Sequence, residues 1–161
     1  MGTRALTFVY DGETPIINMY RQYDGYPSGH GQELAEFLTQ GKLVNGLSGK
    51  NETVFNGMGC LAAQMIANFK QTPGGFYIHP VTDTECGQDY EYHVYEGLDS
   101  EGERELRVRV TDRGCNMFGL TMSDRNESLF DGNVIEFLDY CNPEKEQFEV
   151  DLTEGQAVGR G

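Results

Sequence analysis

The 161 residues fit one compact domain, and nine Tyr and nine Phe within a 38% hydrophobic share supply the area for a core, which excludes wholesale disorder. Twenty-six acidic against twelve basic residues give a net charge of −14, which excludes nucleic acid as a partner, since binding a phosphate backbone needs cationic side chains. No apolar run reaches the ~18 residues of a membrane span and the first residues lack a signal-peptide core, so the expectation is a cytoplasmic protein with no membrane partner.

Residues 4–10 and 15–23, rich in β-branched and aromatic residues and joined through Asp11, Gly12 and Glu13, predict an N-terminal β-hairpin. Residues 24–31 hold three glycines and a proline, too many breakers for a regular element, and read as a shaped loop. Leu34, Phe37 and Leu38 share one face of a helix over 31–40, with Gly41 at its end. Residues 42–55 are polar and read as a long loop, and the 42–59 stretch is expected to lie near the 24–31 loop. Met58, Leu61, Met65 and Phe69 make the main stripe of a helix over 57–71, and Ala63 and Ala67 opposite them predict burial on two sides. Three strands follow, near 76–81, 90–96 and 104–111. Tyr92 and Val94 alternate with Glu91 and His93 as Val108 and Val110 alternate with Arg107 and Arg109. A turn around Ser100 then sets Tyr92 opposite Val108, Val94 opposite Leu106, Glu91 opposite Arg109 and His93 opposite Arg107. Val134, Phe137 and Leu138 predict a last helix over 133–141, stopped by Asn142 and Pro143. The fold class is therefore α+β, a mostly antiparallel sheet packed on helices, with one domain over 1–143 and an acidic C-terminal extension over 144–161.

Two glycine-bordered segments carry the candidate chemistry, because each opens a helix whose free N–H groups favour an anion. In the first, Arg21 supplies a guanidinium, Tyr20, Tyr23 and Tyr26 supply flat rings, and Asp24 and His30 supply polar groups. In the second, the amides around Asn56, Gly57, Gly59 and Cys60 are open to close approach. Together they predict non-enzymatic binding of a small anionic, nucleotide-like ligand. Neither segment has the spacing of a Walker loop or a dinucleotide fingerprint, and no cofactor is implied. The enzymatic alternative is a cysteine hydrolase with Cys60, in the first turn of its helix, as nucleophile and His30, His79 or His93 as base, His79 lying on the strand after the helix. That order of helix and strand is similar to papain-like and NlpC/P60-like cysteine hydrolases, a likeness of order alone.

A third reading follows from the charge. Residues 1–70 carry five basic and six acidic side chains, residues 71–161 seven and twenty, so the C-terminal part is either a solvated surface or a DNA-mimicking face for a basic host protein. Cysteines 60, 86, 115 and 141 form no Cys-x-x-Cys pair and show no close Cys/His spacing, so free thiols and no metal site are expected.

The motifs MGTR at 1–4, YRQYDGYPSGHG at 20–31, NGMGCLAAQ at 56–64 and GGFY at 74–77 give the chain a resemblance to a small, largely uncharacterised family of phage and bacterial proteins. The resemblance implies a phage-like origin, hence a host cytoplasm as its setting and an anti-defence role such as sequestering a host signal. It carries over no activity.

Overall fold

The computed structural model describes residues 2–44, 54–114 and 127–142. The hairpin forms as β1 (Ala5–Asp11) and β2 (Thr14–Arg21), followed by a π-helical turn (Pro27–Gly31) that runs into α1 (Gln32–Thr39). Short strands β3 (Lys42–Val44) and β4 (Val54–Asn56) precede α2 (Gly57–Phe69), and β5 (Phe76–His79) ends at Pro80. Next come β6 (Tyr90–Leu98), β7 (Arg104–Asp112), β8 (Glu127–Asn133) and α3 (Val134–Cys141).

The protein is α+β. Six strands lie in the order β5-β2-β1-β6-β7-β8, antiparallel except for the parallel pair β1–β6. Strand alternation sends Val9, Met19, Val94, Val108 and Val110 to one face, where they join Leu34, Leu38, Leu61, Met65 and Phe137 of the three helices in one core. Tyr92 is fully buried in that core, and its hydroxyl donates to the Gly25 carbonyl at 2.7 Å. Gly31 touches α3 so closely that a Cβ there would lie 2.7 Å from Cys141 Sγ. A capping box, Asn133 with Glu136, opens α3.

Several expectations are corrected. The β6–β7 register differs by two residues: Tyr92 faces Val110, Val94 faces Val108, His93 faces Arg109 and Tyr95 faces Arg107. A two-residue shift leaves every side chain on its own face, so alternation could not distinguish the two registers. The turn decides. Asp99 Oδ1 accepts from the Glu101 and Glu103 amides, Gly102 N–H donates to the Asp99 carbonyl, and Gly102 sits at φ 79°, a geometry that centres the turn on Glu101. On α2 the stripe Met58, Leu61, Met65 and Phe69 is buried as expected, but Ala63 and Ala67 are exposed, so the helix packs on one side only. Within 42–55, read as loop, Lys42–Val44 and Val54–Asn56 pair as parallel strands. The loop at 24–31 contains a π-helical turn, and β8 is an edge strand that the sequence reading passed over. Residues 144–161 and Cys115 lie outside the described residues. No helix among the described residues is long and apolar enough to cross a membrane.

Candidate functional site

The face of the sheet away from the helices holds the polar chemistry. One cross-strand row runs His79, Asn18, Phe8, His93, Arg109 and Asp131, each opposite the next in its ladder. The connection between β5 and β6 folds onto this row. Asn18 Nδ2 donates to the carbonyls of Pro80 and Asp83, and fully buried Gln88 bridges back to Glu91.

At the centre is a chain of three groups. The Tyr10 hydroxyl lies 2.7 Å from His93 Nδ1, and His93 Nε2 lies 3.2 Å from Glu91 Oε1. The other carboxylate oxygen of Glu91 accepts from Arg113 Nη1 at 2.6 Å and from Gln88 Nε2 at 2.7 Å. Burial alone would raise the Glu91 carboxyl, but the hydrogen bonds from His93 and Gln88, with the Arg113 charge, outweigh it, so it is held below its ordinary value. An ionised Glu91 can only accept. His93 Nε2–H therefore donates to it, leaving Nδ1 to accept the Tyr10 proton. Burial raises the Tyr10 phenol above its ordinary value, with Arg109 pulling against the shift and Glu91 adding to it. Phe8 stacks on the His93 ring at 5.3 Å and 8°, fixing its plane. Tyr10, His93, Tyr95, Arg109, Gly12 and Glu13 line a cleft of about 230 Å³. Arg109 is exposed; its charge faces the Tyr10 phenol, and its guanidinium makes no hydrogen bond or ion pair among the described residues. The arrangement is that of a triad in which an imidazole links a hydroxyl to an oriented carboxylate, here with a phenol in the hydroxyl position.

The residues singled out from the sequence are placed differently. His30 is fully buried between β1 and α2, with Nε2 2.7 Å from Thr7 Oγ1 and Nδ1 3.2 Å from Arg21 Nη1. Burial, helped by the Arg21 charge, lowers it to about 3. Arg21 is committed to Glu33 at 2.9 Å and to the Tyr23 carbonyl, with its guanidinium over the Phe76 ring. Tyr20, next to Arg21 on β2, points to the opposite face and stacks on His79. Tyr23 is exposed. Tyr26 lines a separate cavity of about 740 Å³ against α3, and Asp24 makes the turn at φ 60°. His30 meets Phe69, at the C-terminal end of α2, at 5.4 Å. Asn56, Gly57, Gly59 and Cys60 sit at the other end of that helix, roughly 15 Å away at 1.5 Å per residue. The two glycine-bordered segments thus do not converge on one cavity, and the 24–31 segment packs on α3 instead.

Cys60 Sγ donates to Gln64 Oε1 at 3.0 Å, a local bond along its own helix. His79 is on the other side of the sheet, with Nδ1 3.2 Å from Cys86 Sγ and 3.4 Å from Asp83 Oδ2. His93 also lies on the face away from the helices, so none of the three imidazoles is brought to Cys60. Burial, then the carboxylates of Asp83, Glu85 and Glu91, push the Cys86 thiol up to about 12, and burial does the same to Cys141.

The residues of this cluster that the sequence reading missed are Tyr10, Glu91, Arg109 and Arg113; His93 was considered only as a base for Cys60. A signal was present: Glu91 and His93 are two apart on one strand and so share a face, and Arg109 has the same parity on the next strand. Comparison with protein-family models, with curated proteins and with solved structures finds no match to this chain.

Proposed function

We propose that the protein binds a small anionic molecule in the cleft at Arg109 and moves a proton on it through Tyr10, His93 and Glu91. One observation carries this reading: the chain of hydrogen bonds from a phenol to a buried, ion-paired carboxylate opens beside a guanidinium that makes no hydrogen bond or ion pair among the described residues. Arg109 can grip a carboxylate or phosphate through two parallel N–H groups. The substrate proton passes to the Tyr10 oxygen as the Tyr10 proton passes to His93 Nδ1, and Glu91 stabilises the imidazolium that forms; the reverse sequence returns the proton. The cleft is smaller than the ~300–1,000 Å³ of drug-sized sites, which favours a small acid, or a nucleotide-like ligand entering by its anionic end. Glu13, exposed at the hairpin turn beside the cleft, disfavours a polyanion.

The test is NMR titration with inorganic phosphate and a panel of small carboxylates and phosphomonoesters. Saturable shifts at His93 and Arg109 are expected, lost in Arg109→Ala and kept in Tyr10→Phe. Turnover, read as solvent deuterium entering the ligand, should fall ~10²–10⁴-fold in Tyr10→Phe. Binding without exchange reduces the reading to non-enzymatic capture, and no ligand response at Arg109 overturns it altogether.

A second reading keeps the acidic surface for a basic protein partner. The larger cavity is lined by Tyr26, Tyr90, Phe130 and Tyr140 together with the carboxylates of Glu136 and Asp139, a lining suited to a Lys or Arg side chain. A lysine-rich peptide whose binding weakens with salt and with Asp139→Asn would support it; no binding at low salt would remove it.

A further inference from the structure

We propose that His79, Asp83 and Cys86 form a three-ligand site for a divalent cation of the zinc class. Their ligand atoms, an imidazole nitrogen, a carboxylate oxygen and a thiol sulfur, all lie within 4.8 Å of one another. A tetrahedral ion with bonds of ~2.0–2.3 Å sets neighbouring ligand atoms ~3.3–3.6 Å apart. The Nδ1–Sγ distance of 3.2 Å and the Nδ1–Oδ2 distance of 3.4 Å are already close to that spacing. Thiolate and imidazole together select zinc or cobalt over magnesium or calcium, which take oxygen ligands. Three protein ligands leave a fourth position open to water or a substrate atom, as in catalytic rather than closed structural zinc sites.

The positions of the three ligands are set independently of any ion. The Tyr20 ring stacks on His79 at 4.9 Å and 14°, which fixes the imidazole plane. Asn18, opposite His79 in the β2–β5 ladder, donates to the Pro80 and Asp83 carbonyls at 3.0 and 2.9 Å. Its Oδ1 is buried at the same loop with no partner among the described residues, an acceptor for a metal-bound water. On the far side of the loop the Cys86 amide donates to Gln88 Oε1 at 2.8 Å. Such outer contacts orient ligands and tune affinity. The spacing His-x₃-Asp-x₂-Cys was visible in the sequence but reads as a site only once the loop brings the three together. His79 is three strands from His93, about 14 Å at the usual strand spacing, so this site is separate from the Tyr10 cleft and stands or falls without it.

The probe is Co²⁺ added to the full chain after chelation and desalting. One equivalent should bind, giving a cobalt–thiolate charge-transfer band and the visible bands of a tetrahedral ion, and Zn²⁺ should displace it while Mg²⁺ does not. Cys86→Ser should abolish the charge-transfer band and His79→Gln should weaken binding at least ~10-fold, whereas Cys60→Ser leaves both unchanged. A second measurement needs no variant: Zn²⁺ should slow alkylation of Cys86 in the native protein and leave Cys60 unaffected. Absence of the band, its survival in Cys86→Ser, or Cys86 alkylation indifferent to Zn²⁺ would overturn the site and leave a plain thiol–imidazole hydrogen bond.

Discussion

His30 is the buried group whose protonation the fold opposes most plainly, and its contribution to acid sensitivity can be worked out. Arg21 can only donate, so His30 Nδ1 accepts from it and Nε2–H donates to Thr7 Oγ1; the ring is held as one neutral tautomer. The folded value of about 3 lies below the unfolded value of ~6.5. The unfolded chain therefore takes up a proton that the folded protein refuses. Stability is complete above ~6.5 and is lost as pH falls from there towards 3. Between pH 7 and pH 5 the loss from this one residue is about 2 kcal/mol, and the full shift is worth on the order of 5 kcal/mol. Against a domain stability of ~5–15 kcal/mol this is a large share. The assay is urea unfolding at half-unit pH steps on the native protein and on His30→Gln, which keeps a donor for Thr7. The variant should lose ~1–3 kcal/mol at pH 7, since Arg21 Nη1 loses its acceptor, but should show about 2 kcal/mol less decline between pH 7 and 5. The other histidines contribute equally to both proteins and cancel in the difference. Parallel curves, or a His30 ring signal titrating near pH 6.5 in the folded state, would refute the reasoning.

Glu91→Gln should cost ~1–3 kcal/mol, because the Arg113 guanidinium, only 8% exposed, loses its buried charge partner and keeps only the half-exposed Glu85. Glu91 is held below its ordinary value, so its stabilisation is present above the carboxylate range and is lost as pH falls through the folded value. The variant should therefore also show a flatter acid limb below the ordinary carboxyl value of ~4.3, within the lower part of the His30 span, and a cost under 1 kcal/mol in urea unfolding would contradict the network. On α2, Leu61→Ala should cost ~2–5 kcal/mol and Ala63→Ser under ~0.5 kcal/mol; similar costs in the same assay would restore the two-sided burial that the structure removes.

Where one physical rule decided the outcome, the elements were legible. The stripe of Met58, Leu61, Met65 and Phe69 could only be a helix face, and Tyr92 and Val94 alternating with Glu91 and His93 could only be a strand. The β6–β7 register was not legible from that alternation, since a period of two is blind to a shift of two, and the information lay in Asp99 and Gly102 at the turn. The strand Glu127–Asn133 escaped because a bulge opposite Val110 and Thr111 breaks its alternation, placing Leu129 and Phe130 side by side in a polar, glycine-containing run. The expected ligand grip had a visible flaw: Tyr20 and Arg21 are neighbours on a strand and so cannot present ring and guanidinium to one ligand on one face.

The cleft was hidden for a different reason. Glu91, His93 and Arg109 alternate with core residues and read as a solvated face, and nothing local to those strands says that the 80–89 connection will cover part of it. Once covered, the polar groups need partners, and they have them: Gln88 satisfies Cys86, Thr84 and Glu91, and Arg113 ties Glu85 to Glu91. A buried ion pair of this kind is weak evidence for stability, since apolar replacements of similar volume are often as stable or more so. Packing alone thus gives no reason to keep a carboxylate, an imidazole and a phenol in series at the mouth of a cleft. The proposed proton path would, because each group in the series needs the next in a fixed protonation state.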